Sequence, residues 1–262
     1  MMENIKLLIF DLDGTLTLEK RVIPKKLQNT LRQLQRDGYL VTTATGNAFV
    51  QFMWKYAAQF LPNAPMVLEN GARIGDIYES YQQSVPLGND ILAAIPEIIT
   101  RNETDFIGFY PGTEEDYVFY TPSLPLNPSL DPITQTTVTD IDQYQELSHT
   151  WNPSRMVIGV HNETLWLPEG FTGTVASNMG SHEITPANTD KGWGVRTLLE
   201  SLGLTFDQVA VFGNGYNDIA LFQTDAVMKV YVGEECPELE QYATHRVSDA
   251  VDLEKFLSVN LN

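Results

Sequence analysis

Hydrophobic and polar residues alternate in blocks along the first 80 residues, as they do where strands alternate with helices. The run KLLIF at residues 6–10 is short and apolar throughout, which is typical of a strand buried on both faces of a sheet. Pro24 then opens a helix, its leucines recur at helical spacing as far as Leu34, and Gly38 ends it. Such alternation predicts a parallel sheet with right-handed crossovers. The next predicted elements are strands at 39–43 and 65–68 and a helix at 48–60.

The pattern changes in the middle of the chain. Residues 84–181 are rich in proline, threonine and aromatic residues, and they contain short strand-like runs and one helix, at 89–100. Strand and helix signals then alternate again, beginning with a helix at 191–202. The prediction is an α/β fold. Its Rossmann-like parallel-sheet core comprises residues 1–83 and 182–262, and an inserted α+β domain comprises residues 84–181.

Charge narrows the range of partners. The 262 residues include 16 Lys+Arg and 34 Asp+Glu, which gives a net charge of -18. A chain this acidic repels phosphate backbones and anionic lipid, so neither nucleic acid nor a membrane surface is an expected partner. The single cysteine and the absence of a signal-peptide pattern predict a cytoplasmic protein. The insert alone carries 13 Asp+Glu but only two basic residues, Arg101 and Arg155.

The strongest chemical signal is the run DLDGTL, which begins at Asp11 and follows the first predicted strand. Ligands bind at the carboxyl ends of strands in open α/β sheets. There, the carboxylates of Asp11 and Asp13 can share a hard cation. One of them can attack phosphorus while the other donates and accepts protons. An Asp-Gly pair alone would indicate only a turn, but the whole run at this position favours a functional site.

Three further motifs follow in order. They are Ala-Thr-Gly at 44–46 after the second strand, Lys191 at the start of a helix, and GNGYND at 213–218 after a strand. A lysine at a helix N-terminus opposes the helix dipole, which favours a functional reason for its position. Together with DLDGTL and the turn ENGA at 69–72, these motifs resemble those of the haloacid-dehalogenase-like (HAD) hydrolases, and the resemblance spans the whole chain.

The resemblance implies hydrolysis of a phosphate monoester through an aspartyl-phosphate. It makes Asp11 the nucleophile and Asp13 the general acid and base, and it implies Mg²⁺ as the cofactor. The resemblance assigns catalysis to Asp11, Asp13, Thr45 and Lys191. It assigns substrate binding to Gly14, Gly46, Asn70 and Asn217. It assigns the metal to Asp11, Asp13, Asn214 and Asp218.

The position and α+β character of the insert resemble the type IIB cap of the Cof-like sugar phosphatases. A small phosphorylated molecule, most simply a sugar or polyol phosphate, is therefore the expected substrate. Two positions depart from the family pattern. Asn214 stands where many members have a metal-binding aspartate, and Asn47 stands where Cof-like members usually have arginine.

Other functions stay open on the sequence. Phosphatases of mannosyl-3-phosphoglycerate, trehalose phosphate and sucrose phosphate are alternatives, and the segments ENGA at 69–72 and TDKG at 189–192 resemble the first of these. A phosphomannomutase-like enzyme would need cationic anchors for a second phosphate, for which Arg101 and Arg155 are the candidates in the insert. Asn214 leaves room for a non-catalytic binding module. The sequence does not predict the oligomeric state.

Overall fold

A computed structural model describes residues 4–18, 21–78, 82–102, 104–109, 117–121, 135–160, 164–178 and 181–261. The chain divides into two compact units. The first, which we call the core unit, is Met1–Gln83 with Asp190–Asn262, and the second, the inserted unit, is Ser84–Thr189. In the described part of the chain, no helix combines the length and the apolar character needed to cross a membrane.

Strands and helices alternate through most of the core unit. The elements of both units are numbered together in chain order. The strands are β1 (Leu7–Phe10), β2 (Leu40–Thr43), β3 (Met66–Leu68), β4 (Arg73–Gly75), β5 (Gln82–Ser84), β6 (Thr104–Phe109), β7 (Tyr117–Tyr120), β8 (Gln135–Val138), β9 (Met156–Val160), β10 (Thr174–Asn178), β11 (Ser181–Thr185), β12 (Val209–Gly213), β13 (Met228–Val232) and β14 (His245–Val247). The helices are α1 (Lys25–Arg36), α2 (Phe49–Lys55), α3 (Asn89–Arg101), α4 (Ile141–Trp151), α5 (Lys191–Leu202), α6 (Ile219–Phe222) and α7 (Ala250–Asn260).

A parallel sheet with strand order β14-β13-β12-β1-β2 forms the centre of the core unit. The four residues of β1 are fully buried, as the apolar run predicted. Leu8 and Phe10 belong to one hydrophobic cluster with leucines of α1 and α7, while Leu7 and Ile9 belong to another with residues of α5 and α6. Helices therefore cover both faces of the sheet, and β1 lies in its interior.

The inserted unit contains a sheet with strand order β10-β11-β9-β6-β7-β8, in which β7 and β8 are parallel and the other pairs are antiparallel. Helices α3 and α4 supply apolar residues to its hydrophobic cluster. The expected boundary between residues 181 and 182 falls at the start of β11, which pairs with β9 and β10. The unit therefore extends to Thr189.

Several helix and strand ends differ from their predictions. The helix predicted over 48–60 ends at Lys55, because Tyr56 leaves the helical conformation with φ −124° and turns follow it. The strand predicted over 39–43 begins at Leu40, and the strand predicted over 65–68 begins at Met66. Helix α6 follows a short 3₁₀ turn over Tyr216–Asp218. By contrast, α5 has its predicted bounds, since the Asp190 side chain caps its first turn and Gly203 ends it with φ 64°.

Candidate active site

The site lies where β12, β1 and β2, three neighbouring strands of the parallel sheet, end. Asp11 follows β1, and its backbone N–H donates to the carbonyl of Phe212 at 2.9 Å. Ala44 follows β2, and its N–H donates to the carbonyl of Phe10 at 2.9 Å. Asn214 follows β12. The parallel register therefore brings the three loops to one edge of the sheet, as expected for a ligand site.

A buried ion cluster connects the first motif with the last two. The Lys191 ammonium lies 2.7 Å from Oδ1 of Asp11 and 2.7 Å from Oδ1 of Asp218. Lys191 and Asp218 are fully buried, and Asp11 is 6% exposed. Since α5 begins at Lys191, the helix delivers this cation directly to the strand ends. Lys191 is therefore not a solvated residue at the start of a helix, and its burial between two carboxylates favours a functional role.

The electrostatics of the cluster set the charge of each partner. Burial lowers the pKa of Lys191, but the carboxylates of Asp11 and Asp218 outweigh burial and hold that pKa above its ordinary value. Burial raises the pKa of Asp11 from 3.8 to about 7, although Lys191 opposes the rise; repulsion from Asp218 adds to it. Lys191 is thus a permanent cation, and Asp11 needs nearby positive charge to ionise fully at neutral pH.

Asp13 has a different environment. The Tyr56 hydroxyl donates to Oδ1 of Asp13, and the side-chain amide of Asn47 donates to Oδ2 at 3.1 Å. Nε of Arg21 lies 3.9 Å from Oδ1. The Asp13 side chain is 48% exposed, whereas Tyr56 is fully buried. Asp13 is therefore held at the accessible rim of the site, mainly by neutral donors.

Thr45 and Asn47 form a tight turn after β2. The hydroxyl oxygen of Thr45 accepts from the backbone N–H of Asn47 at 3.1 Å and from its side-chain amide at 2.9 Å. The backbone of Thr45 is fixed as well, because its N–H donates to Val67 and its carbonyl accepts from Asn70. With its oxygen already accepting, the Thr45 hydroxyl has its proton to offer to an anionic ligand.

Asn70 and Asn217, which the sequence assigned to substrate binding, lie together. Nδ2 of Asn217 donates to Oδ1 of Asn70 at 3.2 Å. Asn70 adopts a left-handed conformation with φ 51°, and Gly71 follows with φ 98°. A Cβ at Gly71 would lie 2.0 Å from the carbonyl oxygen of Asp190, so glycine is required for the close approach of this turn to the start of α5.

Asp218 organises the loop after β12. Its Oδ2 accepts from the backbone N–H groups of Asn214 and Gly215, at 2.9 Å and 3.0 Å, while its Oδ1 accepts from Lys191. Both oxygens are therefore engaged within the protein. This arrangement shapes the loop and holds Lys191, and it favours that role over the direct metal ligation expected from the sequence.

Asn214 reaches across to the first motif. Its Oδ1 accepts from the Thr15 hydroxyl at 2.9 Å, and its Nδ2 donates to Oε2 of Glu235 at 2.7 Å. Gly14 lies directly against the same amide: its φ is 84°, and a Cβ there would lie 2.2 Å from Nδ2 of Asn214. Glycine at position 14 is therefore required for the close fit of the two loops.

The structure brings Asp11, Lys191 and Asp218 together and adds two residues that the sequence does not indicate, Tyr56 and Glu235. Neither belongs to a motif. Tyr56 lies 43 residues from the aspartate it contacts, and Glu235 lies 21 residues from its amide partner. Asn47 was noted only as a missing arginine, whereas the structure gives it contacts with two site residues.

The two arginines of the inserted unit already have acidic partners. Arg155 is 5% exposed and lies 3.1 Å from Oε1 of Glu183. Arg101 is exposed, lies 3.6 Å from Oε1 of Glu97, and stacks over the ring of Trp166 at 5.3 Å. Their charges are thus compensated inside the unit.

A family model for haloacid dehalogenase-like hydrolases matches residues 8–252. The chain belongs to this family. Among curated relatives, a Mycoplasma genitalium protein that carries a provisional phosphatase name is 23% identical over 241 residues, which is 84% of this chain and 85% of that protein. A Yersinia pseudotuberculosis protein named HMP-PP phosphatase is 26% identical over 247 residues, which is 90% of this chain and 86% of that one.

Solved structures support the fold. A haloacid dehalogenase-like hydrolase from Bacteroides thetaiotaomicron superposes with a TM-score of 0.76 at 20% identity, over 97% of this chain and 98% of that one. A sugar phosphatase of HAD subclass IIB superposes with a TM-score of 0.77 at 17% identity, over 97% and 98%. Family membership and phosphatase-named relatives together make this chain a phosphatase of the haloacid dehalogenase-like class.

The residues at the site fit a Mg²⁺ ion that has only a few protein ligands. In the described ranges, no three Asp, Glu, His or Cys side chains converge closely enough to hold an ion by themselves. Mg²⁺ characteristically keeps several waters and binds through one or two carboxylates together with substrate phosphates. Asp11, with Oδ1 on Lys191, and the amide oxygen of Asn214 are hard oxygen donors of that kind.

Proposed function

We propose that this phosphatase is Mg²⁺-dependent and hydrolyses small phosphate monoesters, most simply a sugar or polyol phosphate, through an aspartyl-phosphate on Asp11. The observation that carries the proposal is the buried cluster of Asp11, Lys191 and Asp218 at the end of β1, with Asp13 two residues away at the rim. A nucleophile, a fixed cation and an acid–base group therefore adjoin one another.

A carboxylate oxygen of Asp11 attacks phosphorus and forms an acyl-phosphate bond, while the bond between phosphorus and the ester oxygen breaks. Lys191 keeps the carboxylate oriented through its 2.7 Å contact with Oδ1 and offers positive charge next to the incoming phosphate. Bound Mg²⁺ supplies further positive charge, which offsets the repulsion between the carboxylate and the phosphate. Asp11 and Asn214 are the residues that would hold it.

Asp13 gives a proton to the departing oxygen and later removes one from the water that hydrolyses the intermediate. Tyr56 and Asn47 each donate to one of its oxygens, so the carboxyl plane is fixed before substrate arrives. Because Asp13 is half-exposed, it can exchange protons with solvent between the two steps.

The phosphoryl oxygens then need donors around Asp11. The Thr45 hydroxyl and the side-chain amide of Asn217 are the groups we assign, since both lie on loops that the sheet and the Asn70 turn hold in place. Gly46 belongs to the same turn after β2. These donors need no reorganisation when charge develops.

We further propose that the inserted unit selects the substrate and that it favours neutral sugars with one phosphate. Its 13 acidic residues between positions 84 and 181 repel a second anionic group. Arg101 and Arg155, the anchors that a mutase or a phosphoglycerate-type substrate would use, both pair with glutamates. Among similar proteins, the names sugar phosphatase and HMP-PP phosphatase define the two substrate types to compare first.

The test is phosphate release from a panel of aryl phosphates, hexose monophosphates, hexose bisphosphates, phosphorylated acids and HMP-PP, with Mg²⁺ and with EDTA. We expect release from a monophosphate with Mg²⁺ and none with EDTA or with the Asp11→Asn variant. Acid-quenched Asp13→Asn protein should carry the mass of one phosphoryl group on the peptide that contains Asp11. No release from any substrate would favour the binding-module alternative.

A further inference from the structure

Glu235 is an acidic residue in the loop after β13, and it touches the site through Asn214. Its Oε2 accepts from Nδ2 of Asn214 at 2.7 Å, while the Thr15 hydroxyl donates to the other end of the same amide at 2.9 Å. The two neighbours define the amide orientation from both sides: the nitrogen points to Glu235 and the oxygen stays on the side of the first motif.

The charge of Glu235 is available to the site. The ion pairs among the described residues do not include Glu235, whereas its neighbour Glu234 pairs with Arg246 at 3.0 Å. The position at which many family members have aspartate is an amide here, so the loop after β12 has lost one negative charge. A carboxylate in direct contact with that amide stands where it can replace the charge.

We propose that Glu235 is a positioning residue of the cation site: it supplies the negative charge that Asn214 lacks and orients the amide so that Oδ1 faces the ion. The inference rests on the proposed magnesium dependence. Asn214 and Glu235 then act as one unit, in which the amide contacts the ion and the carboxylate supplies its charge through a single hydrogen bond.

The pairing of Asn214 with Glu235 leads us to expect different effects from the two single variants. Glu235→Gln keeps a hydrogen-bond acceptor for Asn214 but removes the charge, so Mg²⁺ binding weakens by roughly 10- to 100-fold, as for other groups that support a metal ligand. Asn214→Asp gains a charged ligand, but it places two carboxylates where an amide now donates at 2.7 Å. The metal-free protein is then less stable, and Mg²⁺ raises its melting temperature more than that of the wild type.

The double variant Asn214→Asp, Glu235→Gln reverses the polarity of the hydrogen bond. The glutamine amide donates to the new aspartate, and the total charge equals that of the wild type. We expect the metal-free melting temperature to return to the wild-type value and Mg²⁺ binding to be at least as tight as in the wild type. Recovery in the double variant is a result that independent structural damage at the two positions would not produce.

The experiment is calorimetric titration of each protein with Mg²⁺ in the absence of substrate, together with thermal melting in EDTA and in Mg²⁺. Glu234→Gln is the matched control, since it removes the same charge from the adjacent residue that pairs with Arg246; its Mg²⁺ affinity should equal that of the wild type. Glu235→Asp keeps the charge and should retain more affinity than Glu235→Gln.

Equal Mg²⁺ affinity of Glu235→Gln and the wild type would overturn the proposal, as would a double variant no tighter than Glu235→Gln. No detectable Mg²⁺ binding by the wild type would overturn it too. The outcome is separable from that of the proposed function, because binding is read without turnover. If the protein releases phosphate but Glu235→Gln does not change its Mg²⁺ affinity, only this inference is wrong. If Mg²⁺ binding depends on Glu235 but no phosphate is released, only the phosphatase proposal is wrong.

Discussion

Asp11 and Asp13 are separated by one residue, yet they lie in two different electrostatic regions of the site. At the buried end, Asp11 is surrounded by protein and shares one ammonium with Asp218. At the rim, Asp13 is half-exposed and is held mainly by a hydroxyl and an amide. Environment assigns different chemistry to identical side chains, since a buried carboxylate beside a cation suits nucleophilic attack and an accessible one suits proton exchange.

The largest effect is expected from removing the shared cation at the buried end. Lys191→Met leaves Asp11 and Asp218 buried without their partner, so it should abolish turnover and reduce the free energy of unfolding by about 3–5 kcal/mol. Urea unfolding in EDTA measures the loss. Lys255→Met, which removes an exposed partner of Asp252, is the control and should unfold like the wild type. Equal stability of the two variants would show that the buried cluster is not a coupled ion pair.

At the rim, Tyr56→Phe should impair the proton-transfer role of Asp13 more than the attack by Asp11. The lost donor acts on a charged group, for which a hydrogen bond contributes about 1.5–3 kcal/mol, so kcat for a hexose phosphate should fall about tenfold or more. The kcat/KM for p-nitrophenyl phosphate, which reports the steps up to the aspartyl-phosphate, should fall less than that for the hexose phosphate, because its leaving group needs no proton. An equal loss of kcat/KM for both substrates would contradict a role of Tyr56 in proton transfer to the leaving group.

A double-mutant cycle sharpens the same test. In the Asp13→Asn background, Tyr56→Phe should have little further effect on kcat for the hexose phosphate, since the group that Tyr56 orients no longer transfers protons. Independent, multiplicative losses in the two variants would separate Tyr56 from Asp13.

The buried carboxyl group of Asp11 should also couple stability to pH. Burial raises the pKa of Asp11 from 3.8 to about 7, so in metal-free protein the folded state holds a proton between those values that the unfolded state has released. The contribution of Asp11 to stability is therefore complete below about pH 4 and decreases as pH rises towards 7, by at most about 1.4 kcal/mol per pH unit.

Urea unfolding in EDTA at a series of pH values measures this slope. Asp11→Asn should make the stability less dependent on pH in that window. A wild-type slope in Asp11→Asn would mean that other groups bind the proton.

The smallest effect is expected in the inserted unit, away from both regions. Arg101→Ala removes an exposed side chain that pairs with Glu97 and covers Trp166. It should leave kcat/KM for a hexose monophosphate, and the preference for that substrate over a bisphosphate, unchanged. A selective loss of bisphosphate hydrolysis would identify Arg101 as an anion anchor and would favour the mutase-like alternative.

Local signals predicted the elements that carry their own stop and start residues. Helix α5 has the predicted bounds because Asp190 caps it and Gly203 ends it in the left-handed conformation. The end of α2 was not predictable in this way, since the 48–60 segment contains no glycine or proline at which a helix would end. Tyr56, where the helix ends, donates instead to Asp13, which is 43 residues away in the chain. The boundary predicted between residues 181 and 182 passes through β11, whose pairing with β9 is not a local property.

The sequence by itself determined the acidic composition of the loop that begins at Asp11, its position after an apolar strand, and the order of the motifs that meet it. These follow from local rules: a fully apolar run lies inside a sheet, and strand ends collect ligand groups. The tertiary structure decided which neighbours complete those motifs. Tyr56 on Asp13 and Glu235 on Asn214 come from loops with no motif of their own, and a hydrogen bond between residues distant in the chain depends on packing that no local pattern encodes.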